Sequence, residues 1–104
     1  MPITYPLGVL KEHLHTREKA GLFDISHMQL FELVGAHADA ALAEACPVDT
    51  TTIDTGESKY TLLLNENAGI IDDLIVTRYA PDRWIIVANA SRATVDGAQI
   101  AAIV

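Results

Sequence analysis

Apolar residues along this chain recur at helical spacing in parts of the first half and in a two-residue rhythm through the second half. Val9 to Ala20 predicts a helix. Leu7, Leu10 and Leu14 form a thin apolar stripe, and Lys11, Glu12, Arg17, Glu18 and Lys19 supply its wet side. Gly21 is a stop signal. Leu22 to Ile25 and Gln29 to Val34 predict short strands joined by Ser26 and His27. After Gly35, the alanine-rich run Ala36 to Ala45 predicts a helix anchored by Leu42 and ended by Pro47. Asp49 to Gly56 is a threonine-rich polar loop.

The rhythm then becomes that of a sheet. Tyr60 to Leu64, Ile70 to Tyr79 and Arg83 to Ala88 predict three strands. Their connections are short, Asn65 to Gly69 and the Pro81-Asp82 pair, so an antiparallel meander is expected. Ser91 is the expected N-cap of a last helix, Arg92 to Ile103, with Gly97 as its weak point. The run Ile100 to Val104 is apolar and carries no stop signal. Such an end is expected to be covered by a partner surface, or to mark a cut in a longer chain. The pattern as a whole predicts one α+β domain over residues 1–104, an antiparallel sheet with helices packed on it.

The richest stretch is Asn65 to Arg78, NENAGIIDDLIVTR. Alternation puts Ile70, Asp72, Leu74 and Val76 on one face, and Ile71, Asp73 and Ile75 on the other. One carboxylate is then expected among apolar side chains, where desolvation would raise its pKa. The alternative is a strand start at a sheet rim, with both acids reaching water.

Composition narrows the function classes. The chain has 104 residues, half of them hydrophobic, and a net charge of −7. That suits one small ordered domain and argues against a nucleic-acid partner, which needs a basic surface. No apolar run is long enough to span a bilayer, and MPITYPLG does not read as a secretory leader, so a cytoplasmic location is expected. The one cysteine, Cys46, reads as a buried small side chain and fits a reducing compartment. His13, His15, His27 and His37 lack metal-ligand spacing, so no metal site is expected; His27 reads as a structural, hydrogen-bonded residue. Phosphate-loop, dinucleotide and serine-hydrolase motifs are absent from the sequence.

AGIIDDLIVT, together with GLFDISHM (Gly21 to Met28), KYTLLLN (Lys59 to Asn65) and WIIVANAS (Trp84 to Ser91), resembles the glycine cleavage T-protein family in the same order. These proteins are folate-dependent aminomethyltransferases. The resemblance covers nearly the whole chain and implies an N-terminal folate-binding region. It implies tetrahydrofolate as cofactor and a lipoyl carrier protein (H-protein) as partner. By the same resemblance Asp72, the first acid of the pair, orients the cofactor and activates its N10 nitrogen, with Asp73 in support. Asn89 matches a pterin-contacting position and Val87 a pocket-lining one, while Tyr60 matches an aromatic position that could pack on the folate or bond to it, and Met28 a methionine at the folate site. The residues themselves also allow plainer roles: a strand-end turn device for Asn89, core packing for Val87, a sheet-face aromatic for Tyr60, a gap-filler for Met28.

Departures from the family pattern bear on these expectations. A glycine that usually follows the SHM motif is replaced directly by Gln29, which could slip the strand behind it and flip its faces. A Gly-Gly pair is Ala68-Gly69 here. Family members are several times longer and close a channel with two further domains, so these residues alone are expected to be catalytically silent. Two other readings stand beside the aminomethyltransferase one. The first is an interaction module that self-associates through exposed apolar edges. The second is a sister folate-dependent demethylase.

Overall fold

The computed structural model describes residues 4–103. They form an α+β fold, with helices α1 (Val9–Glu18), α2 (Ala38–Ala45) and α3 (Ala93–Ala101) and strands β1 (Met28–Val34), β2 (Ser58–Leu64), β3 (Ile70–Ala80) and β4 (Arg83–Asn89). Short 3-10 turns occupy Thr50–Thr52 and Ala90–Arg92. The strands make one antiparallel sheet in the order β1-β4-β3-β2. The expected meander is its β2-β3-β4 part. β1 reaches its place beside β4 before the chain crosses over through α2.

The β1 register is continuous from Met28 opposite Asn89 to Val34 opposite Arg83. The absence of a glycine after Met28 leaves no bulge in this pairing. β1 buries Leu33 and half-buries Phe31, the alternation expected of a strand with one wet face.

One face of the sheet carries the core. Leu33, Leu63, Leu74, Val76, Trp84, Ile86 and Ala88 are buried there with Ala38, Leu42 and Ala45 of α2. Ile100 and Ile103 pack against the same cluster from the C-terminal segment. Gly97 has a packing reason: a Cβ there would stand 3.1 Å from Phe31 Cε1, so glycine lets the ring approach α3. Cys46 is buried as expected, and desolvation pushes its thiol up to about 11.

Three local expectations change. Leu22 to Ile25 form no strand; all four residues are exposed, and no partner strand lies beside them among the described residues. A strand exists by pairing, so an apolar run without a neighbour stays irregular. Ser91 is not the cap of α3: it sits inside a 3-10 turn, and the helix begins after Arg92. His27 is an exposed turn residue with no side-chain hydrogen bond among the described residues. Helix α1 forms, yet it buries no residue, so the stripe of Leu10 and Leu14 faces water within this chain.

Candidate functional site

Register determines which side chains can meet. Tyr60 of β2 lies opposite Ile75 of β3, Ile75 opposite Val87 of β4, and Val87 opposite Leu30 of β1. Directly opposed residues share a face, so these four form a row across the whole sheet. The adjacent row holds Leu62, Asp73, Asn89 and Met28: Leu62 is opposite Asp73, and Asn89 opposite Met28. Asn89 Nδ2 closes the gap between the two pairs by donating to Asp73 Oδ1 at 3.2 Å. Both rows point away from α2 and α3. They make an open face that is apolar except for one carboxylate, one carboxamide and a phenol that is 68% exposed at Tyr60.

Met28, Tyr60, Val87 and Asn89 are thus brought together on one surface. Asp73 joins them, because alternation puts it on the face of Ile75 rather than that of Leu74. Asp72 stands on the other side of the strand, opposite Leu63, and is half-buried at the rim. It still touches the same constellation. Asn89 Nδ2 donates to Asp72 Oδ1 at 3.0 Å as well as to Asp73. One carboxamide therefore ties both acids, one on each side of the sheet, and keeps its own oxygen as a spare acceptor.

The electrostatics of the two faces differ. Desolvation and then the neighbouring Asp73 carboxylate push the Tyr60 phenol above its ordinary value. At Asp72, desolvation works upward, but hydrogen bonds from Asn89 and the Asp73 backbone, the neighbouring Asp96 side chain and the Arg92 charge bring the carboxyl below the usual range. The raised pKa expected for a carboxylate among apolar side chains is found instead at Asp96 of α3, which is fully buried and pushed up to about 6. Asp96 is the residue that the strand alternation could not reveal.

Chemically, the open face offers a flat apolar wall for a planar ring, an amide edge that accepts hydrogen bonds, and a fixed negative charge within reach of a cation. Grooves of about 510 and 590 Å³ lie elsewhere, around α1 and the 20–27 segment, and contain none of these residues. No metal-holding cluster of His, Cys, Asp or Glu occurs among the described residues. No helix among them is long and apolar enough to cross a membrane.

The family model described as the GCVT N-terminal domain matches residues 1–103. This chain belongs to that family. It is 42% identical over 96 residues to the mitochondrial aminomethyltransferase of Dictyostelium discoideum, covering 92% of this chain and 24% of that protein. The aminomethyltransferase of Synechococcus elongatus is 54% identical over 69 residues, 66% of this chain and 18% of that protein. The crystal structure of the glycine cleavage system aminomethyltransferase T from Bartonella henselae superposes with a TM-score of 0.94 at 56% identity, covering 99% of this chain and 28% of that one. The chain thus spans about a quarter of the length of the relatives it matches. The α+β fold is that of the N-terminal region of a T-protein.

Proposed function

We propose that the open face of the sheet is the pterin-binding wall of an aminomethyltransferase, and that residues 1–104 are a partial folate-binding domain of that enzyme. The observation that carries this reading is the pair of adjacent rows that set Met28, Tyr60, Val87, Asn89 and Asp73 on one surface. The reaction would move the one-carbon unit of an aminomethyl-dihydrolipoyl carrier protein to tetrahydrofolate and release ammonia. Tetrahydrofolate, when bound, supplies the amine that takes up that unit. Val87 and Met28 give the ring an apolar surface, and Tyr60 borders it. The free Asn89 oxygen accepts from a pterin N–H edge. Asp73 balances positive charge developing on the acceptor amine.

The family resemblance assigns that last role to Asp72. Its half-buried position and its bond to Asn89 suit it better to hold the carboxamide in place, while Asp73 looks onto the ligand face. The test is a chimera in which these residues replace the matching quarter of the Bartonella henselae enzyme, assayed for aminomethyl transfer. Asp73→Asn is expected to lower kcat about 100-fold or more, the scale of losing one preorganised electrostatic partner. Asp72→Asn is expected to cost about tenfold or less. A larger loss at Asp72 returns the catalytic role to it, and undiminished turnover in both variants removes the acids from the chemistry.

A second reading has its own observation. Leu10 is 70% exposed and α1 buries nothing, so an apolar surface stands open. Alone, the chain would then self-associate or pair with further polypeptide instead of catalysing. A monodisperse monomer in analytical ultracentrifugation would count against it. The single reduced thiol of Cys46 fits a cytoplasmic setting for either role.

A further inference from the structure

Asp96 takes no part in the proposed ligand wall, yet it is the most deeply buried ionisable side chain described, at 0% exposure. Both of its carboxyl oxygens, and Oδ2 of Asp72, are buried with no hydrogen-bond donor beside them. Orphaned carboxylate oxygens are costly in an apolar setting, and two neighbouring carboxylates cannot both ionise without strong repulsion. A single proton resolves the conflict. Carried by Asp96, it supplies the missing donor to Asp72 Oδ2 while Asp72 keeps its charge for Asn89.

We propose that Asp96 and Asp72 form an acid pair sharing one proton, and that Asp96 is the positioning residue that fixes the Asp72 carboxylate and, through it, the Asn89 carboxamide. The two Asp72 oxygens have different surroundings. Oδ1 meets Asn89 at 3.0 Å. Oδ2 is buried without a partner among the described residues, as are both oxygens of Asp96, the neighbouring carboxyl from α3. The pair therefore links the helix layer to the open face through a single strand residue. The functional consequence rests on the ligand wall proposed above; the shared proton does not.

The surrounding charges fit. From β3 come Asp72 itself and Asp73, the latter turned to the opposite face. From the 3-10 turn before α3 comes Arg92, whose guanidinium also donates to the Ile71 carbonyl at 3.2 Å. β4 contributes the neutral Asn89, β1 the Phe31 ring beside Gly97, and β2 the Tyr60 phenol on the far side of the sheet. Desolvation, then the bond to Asp72 and its charge, raises Asp96 to about 6 against the opposing pull of Arg92. Asp72 moves the other way. Such divergence marks an assigned acid and base within a carboxyl pair.

The experiment is a carbon-detected NMR titration of the aspartate carboxyls in this chain from pH 3 to 8, read together with the Asn89 side-chain amide signal. No ligand is involved, so its outcome is separate from that of the transfer assay. Asp96 is expected to titrate near pH 6 and Asp72 below 3.8, and the Asn89 signal should move with the pH 6 midpoint. Asp96→Asn, whose amide can donate to Asp72 Oδ2 at every pH, is expected to abolish the pH 6 step and hold Asn89 in its low-pH position. Asp96→Ala should abolish the step and shift the Asn89 signal at all pH values. An Asp96 midpoint near 3.8 in the folded chain overturns the proposal, as does an Asn89 signal that follows pH unchanged in Asp96→Asn. If Asp96→Ala does not fold, the wild-type and Asp96→Asn titrations decide.

Discussion

Replacing Asp39 with alanine tests how α2 is fastened to the sheet. Asp39 Oδ1 accepts from the indole Nε1 of Trp84 at 2.7 Å, and Oδ2 accepts from Arg78 Nη2 at 2.8 Å. Trp84 is completely buried, and the Arg78 guanidinium lies 4.5 Å above its ring. Asp39→Ala would leave the indole N–H buried without an acceptor, a cost of about 1–3 kcal/mol. The ion pair adds less. The Asp39 side chain is 41% exposed, so the pair contributes on the order of 0–1 kcal/mol. Arg78 also keeps the carbonyls of Thr50, Ile53 and Pro81 as acceptors. The sum is about 1–4 kcal/mol, measured by urea denaturation at pH 7. Trp84→Phe removes the other half of the bond, so the double mutant should be less destabilised than the sum of the singles by about 1 kcal/mol or more. A loss under about 0.5 kcal/mol, or strict additivity with Trp84→Phe, would refute the reasoning. The pH dependence has a defined sign. Burial raises the Asp39 pKa, but the bonds from Arg78 and Trp84 and the Arg78 charge outweigh it and leave the carboxyl below 3.8. Its stabilisation is therefore present above pH 3.8 and is lost as pH falls through the folded value, a loss that Asp39→Ala should not show.

Asp96 has the opposite sign: its contribution is full below 3.8 and is lost as pH rises through about 6. Asp96→Asn should thus gain on the wild type between pH 4 and 6, by at most about 3 kcal/mol, in denaturation curves taken across that range. Ala68 has φ 59°, a left-handed conformation that costs a non-glycine residue about 1 kcal/mol. Ala68→Gly should raise the denaturation midpoint by the equivalent of about 0.5–1 kcal/mol. Gly69→Ala should lower it, because the added Cβ would stand 2.8 Å from Asn65 Nδ2 and displace the side chain that accepts from the backbone N–H groups of Asn67 and Gly69. Replacing Leu10 and Leu14 with glutamine should change stability by under about 0.5 kcal/mol each, since neither is buried, while reducing self-association in sedimentation runs.

The sheet was legible wherever alternation and short turns acted together. β2, β3 and β4 begin and end within two residues of the expected positions. Leu22 to Ile25 failed for the complementary reason: apolar character is local, but pairing is not. The fastening of α2 was illegible because Asp39 finds its partners 39 and 45 residues away, a separation that no local pattern encodes. On the candidate site, four of the five positions carried by family resemblance, Met28, Tyr60, Val87 and Asn89, share a face, and Asp72 stands on the other side of its strand. Only the cross-strand register shows that Asp73 stands beside Asn89 and Met28 while Asp72 lies on the other side at the rim.

Asp96 is the instructive omission, because its signal was present in the sequence. Ile100 and Ile103 follow it at intervals of four and three, the spacing of one helix face. Both pack against the core, so the same stripe carries Asp96 inward. An acid on an apolar stripe is the feature that drew attention to Asp72 in β3, where the period is two instead of 3.6. Applied to both periods, the rule finds two inward-pointing acids on neighbouring elements, one at a strand start and one in the first turn of the helix that covers it. A lone buried acid can shed its cost by taking up a proton. Two that meet can divide the roles, one neutral and donating, the other charged and held, and the charged member sits at the rim bonded to the Asn89 carboxamide.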